Sequence, residues 1–170
     1  MNILLIYPEK ENNSKGFAAF FHKLFSKTTE DPLELIEISI QLPIIWERKL
    51  RDLNQQKLNT KDLAWADYVI VKAEPRQRTS TIKLIEKCKS AGKKIIAEGA
   101  LFDSQPADFD NVDHLILNQA TFDPFVRDME ANTTQRIYSA EFRKEKIRKT
   151  AYSLLGFSDY LSRNIHPFSA

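Results

Sequence analysis

The sequence predicts an α/β protein: an open, doubly wound, mostly parallel sheet of about five strands, Rossmann- or flavodoxin-like, with an added C-terminal helix. Short apolar runs such as Asn2–Tyr7 and Tyr68-Val69-Ile70-Val71 have the continuous hydrophobicity of strands buried on both faces. Between them lie segments whose apolar residues recur at helical spacing. Strands separated by helices pair in parallel through right-handed crossovers.

Taken in order, Asn2–Tyr7 is the first strand, stopped by Pro8. Glu9, Lys10, Glu11, Asn12 and Asn13 make a polar loop. Phe17, Phe20, Phe21 and Leu24 then form one apolar face of a short helix. Asp31-Pro32 opens another, because Asp caps free amides and Pro fits the first turn. Leu33, Ile36 and Ile40 continue that helix up to Leu42-Pro43. Residues 49–53 read as a short strand near an edge, since charges dominate them.

Thr60–Trp65 is a brief helical turn that delivers the chain into Tyr68-Val69-Ile70-Val71, a central strand. Arg78–Ser90 is a helix with Ile82, Ile85 and Cys88 on one face, ended by Ala91-Gly92. That position makes Cys88 a small buried apolar residue rather than a reactive thiol. Lys94-Ile95-Ile96-Ala97 is the next strand, and His114-Leu115-Ile116-Leu117 the last clear parallel one. Residues 122–129 form a helix, and Arg136-Ile137-Tyr138 a short extended piece.

Composition bounds the rest. The 170 residues suit one domain with a real core, with 42% hydrophobic and 28% charged residues, ordinary for a soluble globular protein. A formal net charge of +2 is too small to imply a nucleic-acid or membrane partner. One cysteine excludes an intrachain disulfide and fits a reducing compartment. The start carries no basic leader, and no run approaches a membrane span. The expectation is a cytoplasmic, soluble protein without a transmembrane segment.

Ligands of doubly wound sheets sit at the carboxyl ends of the strands. Those ends are Tyr7-Pro8-Glu9, Lys72-Ala73-Glu74-Pro75, Glu98-Gly99-Ala100-Leu101 and Asn118-Gln119-Ala120. The fold gives this place without naming a ligand.

Several stretches share a distinctive order and spacing. They are residues 2–9, Asp62-Leu63-Ala64-Trp65-Ala66-Asp67-Tyr68-Val69 and Cys88-Lys89-Ser90-Ala91-Gly92-Lys93-Lys94, followed by Leu101-Phe102, Val112-Asp113-His114, Leu117-Asn118 and Gln135-Arg136-Ile137-Tyr138. In this the chain resembles the N-terminal cobalamin-binding domain of radical S-adenosylmethionine (radical SAM) proteins, over roughly 140 residues. The resemblance implies a cobalamin-binding-like α/β domain over residues 1–140 and a helical extension with a tail over 141–170. It also implies a cofactor site at the strand ends, comprising Tyr7, Pro8, Glu34, Lys72, Glu74, Glu98, Gly99, Ala100 and Asn118. The radical half of such proteins holds its iron–sulfur cluster through several cysteines, which Cys88 alone cannot do.

The departures from the family pattern fall where a ligand would lie. The family tends to carry Leu-Gly-Leu after paired prolines, whereas this chain has Leu33-Glu34-Leu35 after Asp31-Pro32. Paired glycines and a proline give way to Ala97-Glu98-Gly99-Ala100, and apolar or small residues to Lys72, Glu74 and Pro75. Glycine lets backbone approach a flat ligand, which Glu does not. Lys72 is placed to pair with Glu74 or Glu98.

Other chemistries find no support in sequence. The Asp-x-His-x-x-Gly motif that supplies a lower cobalt ligand is missing, and His22, His114 and His166 have packing or surface positions. His and Cys show no zinc-type spacing, and Asp103, Asp108, Asp110 and Asp113 are interrupted by Pro106 and read as solvated. Gly16, Gly92, Gly99 and Gly156 are too dispersed for a dinucleotide or phosphate loop, and no Gly-x-Ser-x-Gly elbow occurs.

In the extension, Arg143, Lys144, Lys146, Arg148 and Lys149 crowd the start, and Ile147, Ala151, Leu154, Leu155 and Leu161 recur at helical spacing, with Tyr152, Phe157 and Tyr160 on other faces. Such a helix wants burial on more than one side, either against its own sheet or against a partner. Arg143, Lys144, Arg148, Tyr152, Phe157 and Tyr160 are the candidate partner contacts.

The expectation is thus a degenerate cobalamin-binding-like domain that is not an enzyme and acts as an accessory or protein-interaction subunit. Its alternative is a binder of cobalamin or another tetrapyrrole, acting as carrier, sensor or cobalamin-presenting subunit of a separate radical enzyme. No cofactor is expected, with cobalamin the possible one; a protein partner is expected and nucleic acid is not.

Overall fold

The computed structural model describes residues 1–11 and 33–140. The Phe-rich helix with His22, the Asp31-Pro32 start, and the extension with Arg143, Lys144, Arg148, Tyr152, Phe157, Tyr160 and His166 lie outside the described residues.

The strands are β1 (Asn2–Tyr7), β2 (Glu47–Asp52), β3 (Tyr68–Lys72), β4 (Lys94–Glu98), β5 (His114–Leu117) and β6 (Ile137–Ser139). They form one all-parallel sheet in the order β2-β1-β3-β4-β5-β6. The helices are α1 (Leu33–Gln41), α2 (Thr60–Trp65), α3 (Arg78–Ser90), α4 (Ala100–Ser104) and α5 (Asp123–Glu130). This is the doubly wound α/β fold that the alternation of patterns predicts. The sixth strand is the extended piece at Arg136-Ile137-Tyr138, where Leu115, Ile116 and Leu117 pair with Ile137, Tyr138 and Ser139.

Two apolar layers hold the sheet. On one face Leu4, Ile6, Val69, Val71, Ile95, Ala97 and Leu115 pack with Leu63, Leu84, Ile85, Cys88, Leu101 and Phe102 from α2, α3 and α4. On the other, Ile3, Leu5, Ile70, Ile96 and Ile116 meet Leu35 and Ile38 of α1 and Phe125 of α5. Alternating β1 residues thus serve opposite cores, which is why the strand reads as continuously apolar. Among the described residues β2 is an edge, and its charges are tolerated there because one side lacks a neighbouring strand.

Two helix faces differ from expectation. In α3 the buried stripe is Thr81, Leu84, Ile85 and Cys88, while Ile82 is exposed. The closer fit to an i, i+3, i+4, i+7 face includes a threonine, whose hydroxyl donates to the Gln77 carbonyl at 2.7 Å and so tolerates burial. In α1 the sheet takes Leu35 and Ile38, leaving Leu33, Ile36 and Ile40 outside. Cys88 is buried, and desolvation pushes its thiol up to about 11. Among the described residues no helix is long and apolar enough to cross a membrane.

Candidate functional site

The strand order reverses between β1 and β3, so the crevice at their carboxyl ends is where this fold accepts ligands. Pro8 leaves β1 buried, and its carbonyl accepts from Gln77 Nε2 at 2.6 Å and Asn54 Nδ2 at 3.2 Å. Gln77 itself is fully buried, and its Oε1 accepts from Glu74 N at 2.7 Å. One side chain therefore ties the end of β1 to the end of β3. Tyr7 is part-buried, and its carbonyl accepts from Leu53 N at 2.9 Å, which binds the end of β1 to the chain beyond β2.

Lys72 closes β3 and is paired in register with Glu98, the last residue of β4. Its ammonium lies 3.0 Å from Glu98 Oε1, to which it donates, and 2.9 Å from Oε2. Oε2 thus shares the ion pair but accepts no well-directed hydrogen bond. Glu34, in the first turn of α1, stands 3.7 Å from the same ammonium. The expectation that Lys72 pairs with Glu74 or Glu98 is therefore resolved in favour of Glu98, with Glu34 as its second neighbour. Glu74 contributes only through the field.

The two partners titrate differently. Burial lowers Lys72, but attraction from Glu98, Glu34 and Glu74 outweighs it and raises Lys72 above the ordinary lysine range. Burial raises Glu98, Lys72 pulls it back, and Asp103 and Glu34 repel its charge; the balance leaves it above the ordinary carboxylate range. Lys72 is thus held as a cation, and Glu98 is the group poised to take up a proton.

Gly99 continues from β4 at φ +120°, and a Cβ there would lie 2.4 Å from the Ala73 carbonyl oxygen and 3.0 Å from the Ala73 nitrogen. The glycine lets β4 close on β3, fastened by Ala73 N to Glu98 O at 3.0 Å and Leu101 N to Ala73 O at 3.2 Å. Ala100 is exposed at the start of α4. Asn118 and Gln119 both adopt φ of 56°, in a turn closed by Ala120 N to Leu117 O at 3.1 Å. Asn118 N donates to Asp103 Oδ1 at 2.7 Å, and its amide donates to Ser139 Oγ at 3.1 Å.

The structure brings Glu34, Lys72 and Glu98 into one cluster, with Glu74 and Asp103 acting on it through space. Asn118 joins Asp103, while Tyr7 and Pro8 are fixed by backbone bonds rather than by that cluster. Sequence reasoning missed Gln77; the available signal was the Glu74-Pro75-Arg76-Gln77 spacing, which resembles a capping box.

The acidic run is exposed at Asp108 and Asp110, as its solvated reading expects, and part-buried at Asp103 and Asp113. Asp108 pairs with Arg78, Asp110 with Arg136, and Asp113 with Lys89, each at 2.7 to 2.8 Å. No group of three or more His, Cys, Asp or Glu among the described residues is arranged to hold a metal ion. His114 is buried at the opposite end of β5, bonded through Nδ1 to the Gln135 carbonyl and packed on Phe125.

A flat macrocycle needs apolar contact and backbone that it can approach closely. Here Gly99 is already pressed against Ala73, and the Lys72–Glu98 pair occupies the adjoining strand ends, flanked by Glu34. The described residues do not fit the face of a cobalamin ring.

No family model matches the chain, and no solved structure matches it. A curated relative is an uncharacterized methyltransferase from Synechocystis sp., 30% identical over 172 residues. The alignment takes in 97% of this chain and 32% of that protein, so the chain spans about a third of its relative's length. The match overturns the expectation that the protein is not an enzyme. The reacting groups of a longer enzyme need not lie in the third of its length that this chain matches.

Proposed function

We propose that this chain works in the cytoplasm as the cobalamin-binding-domain-like unit of a methyl-transferring enzyme, docked on the part that performs the chemistry. The observation that carries the methyl-transfer reading is the alignment of 97% of the chain with a protein named a methyltransferase. The docking role draws on the strand ends, where the part-buried Lys72–Glu98 pair and the Gly99–Ala73 contact argue against a bound tetrapyrrole. The unit's part is then to hold and orient the part that performs the chemistry, since rigid positioning contributes to rate.

The experiment is metabolic. Cells with and without the gene are fed methionine labelled in its methyl group, and labelled products are compared by mass spectrometry. The proposal expects at least one labelled product to vanish on deletion and to return when the chain is restored. Identical label patterns would sink the methyl-transfer reading.

A second reading keeps a tetrapyrrole, cobalamin included, at the carboxyl ends of the strands. Its support is the pair of consecutive left-handed residues, Asn118 and Gln119, because strained backbone at strand ends gathers at ligand sites. It requires that Lys72 and Glu98 part to admit the ring.

A further inference from the structure

Helix α1 is apolar on two opposite sides. Leu35 and Ile38, with Leu42 just beyond, are buried in the core formed with Ile3, Leu5 and Ile70. Leu33, Ile36 and Ile40 are exposed at 64, 45 and 75%, and in the following turn Ile44 and Ile45 are exposed at 93 and 79%. At about 100° per residue, positions 33, 36 and 40 lie on the side opposite to the buried stripe. A helix that is apolar on both sides belongs in an interior.

These residues are clustered in sequence, five within positions 33–45. Elsewhere among the described residues the exposed large apolar side chains are Met1, Ile82 and Ile137, which stand apart in sequence. Single exposed apolar residues need no explanation, whereas a contiguous patch marks an interaction site. The rim has a sign as well. Glu37 and Glu47 are exposed near it in sequence, while α1 contains no Lys or Arg and the Glu34 carboxylate is turned to Lys72 at 3.7 Å. Arg48, which follows in β2, is turned onto the carbonyls of Ser39, Pro43 and Trp46 at 2.6 to 3.1 Å.

We propose that this face docks on the catalytic domain of a methyl-transferring enzyme, through an apolar surface on that domain edged by Lys or Arg. The proposal rests on the functional reading above. The relative supplies the occupant: the matched stretch is 32% of its length, so about two-thirds of that protein is further polypeptide against which such a unit can pack. An apolar centre with a charged rim is the ordinary anatomy of such an interface.

The test places the photo-crosslinking residue p-benzoylphenylalanine at Ile40 of the full chain in its own host, with Ile82 as control position. After irradiation, crosslinked peptides are identified by mass spectrometry. The expected result is a peptide from a methyltransferase catalytic domain, on the same or a separate polypeptide, captured at Ile40 and not at Ile82. Ile36→Glu with Ile44→Glu should cut its yield about tenfold or more and leave the melting temperature nearly unchanged, because both sites are exposed.

Capture of residues 12–32 or 141–170 of the same chain would overturn the proposal, as would capture of a second copy or of nothing. A peptide from a catalytic domain of another chemistry would overturn the named occupant together with the methyl-transfer reading. Loss of labelled methyl products on gene deletion, without any crosslink, would retain that reading and remove the interface.

Discussion

Replacing Lys72 by Met leaves Glu98, 9% exposed, without its cation. Breaking a buried pair in this way costs roughly 3–5 kcal/mol when the stranded charge stays charged. Glu98 has an escape, since it can take up a proton, and the cost of doing so sets a ceiling. From the ordinary carboxyl value of 4.5, that ceiling is about 3.4 kcal/mol at pH 7 and below about 1 kcal/mol at pH 5. The sign follows from linkage. A carboxyl whose folded pKa is raised binds its proton more tightly in the folded state, so stability recovers as pH falls through that pKa. Lys72→Met should therefore lower stability by about 2–3 kcal/mol at pH 7, and the gap to the parent should close towards pH 5. Adding Glu98→Gln should recover most of the loss, because no buried charge remains. Urea denaturation of the parent, both single variants and the double variant at pH 5, 6, 7 and 8 measures this. A loss under about 0.5 kcal/mol at pH 7, or a gap independent of pH, would refute the reasoning.

Gly99→Ala should cost about 3 kcal/mol or more, since it combines a φ of +120° with a Cβ at 2.4 Å from a backbone oxygen; a melting temperature within a degree or two of the parent would contradict the contact. Cys88 should resist alkylation in the folded protein at pH 8 and react fully in denaturant, given its burial and a thiol pushed up to about 11. Rapid modification of folded protein, followed by liquid chromatography and mass spectrometry, would place that thiol at the surface instead.

Much of the fold was legible because the two cores are written into alternating residues. Ile3 and Leu5 serve one face of β1, Leu4 and Ile6 the other, and the run reads as a buried strand from sequence alone. The strand ends followed from that reading, and with them Lys72, Glu98, Gly99 and Asn118. Which of α1's apolar stripes faces the sheet was not legible, since Leu33, Ile36, Ile40 and Leu35, Ile38, Leu42 satisfy helical spacing equally well. The role of Gln77 was hidden for a different reason. Its partner Pro8 lies 69 residues away, and only the folded sheet brings them together. Gly99 stood out as a glycine at a strand end, yet what it accommodates is Ala73, a neighbour from another strand.

Mixing the purified chain with hydroxocobalamin, desalting it and recording the visible spectrum tests most directly whether the strand ends are closed. The account predicts that the parent chain retains no corrinoid. Stoichiometric retention by the parent would contradict it, and would make Lys72, Glu98 and Glu34 part of an open ligand site.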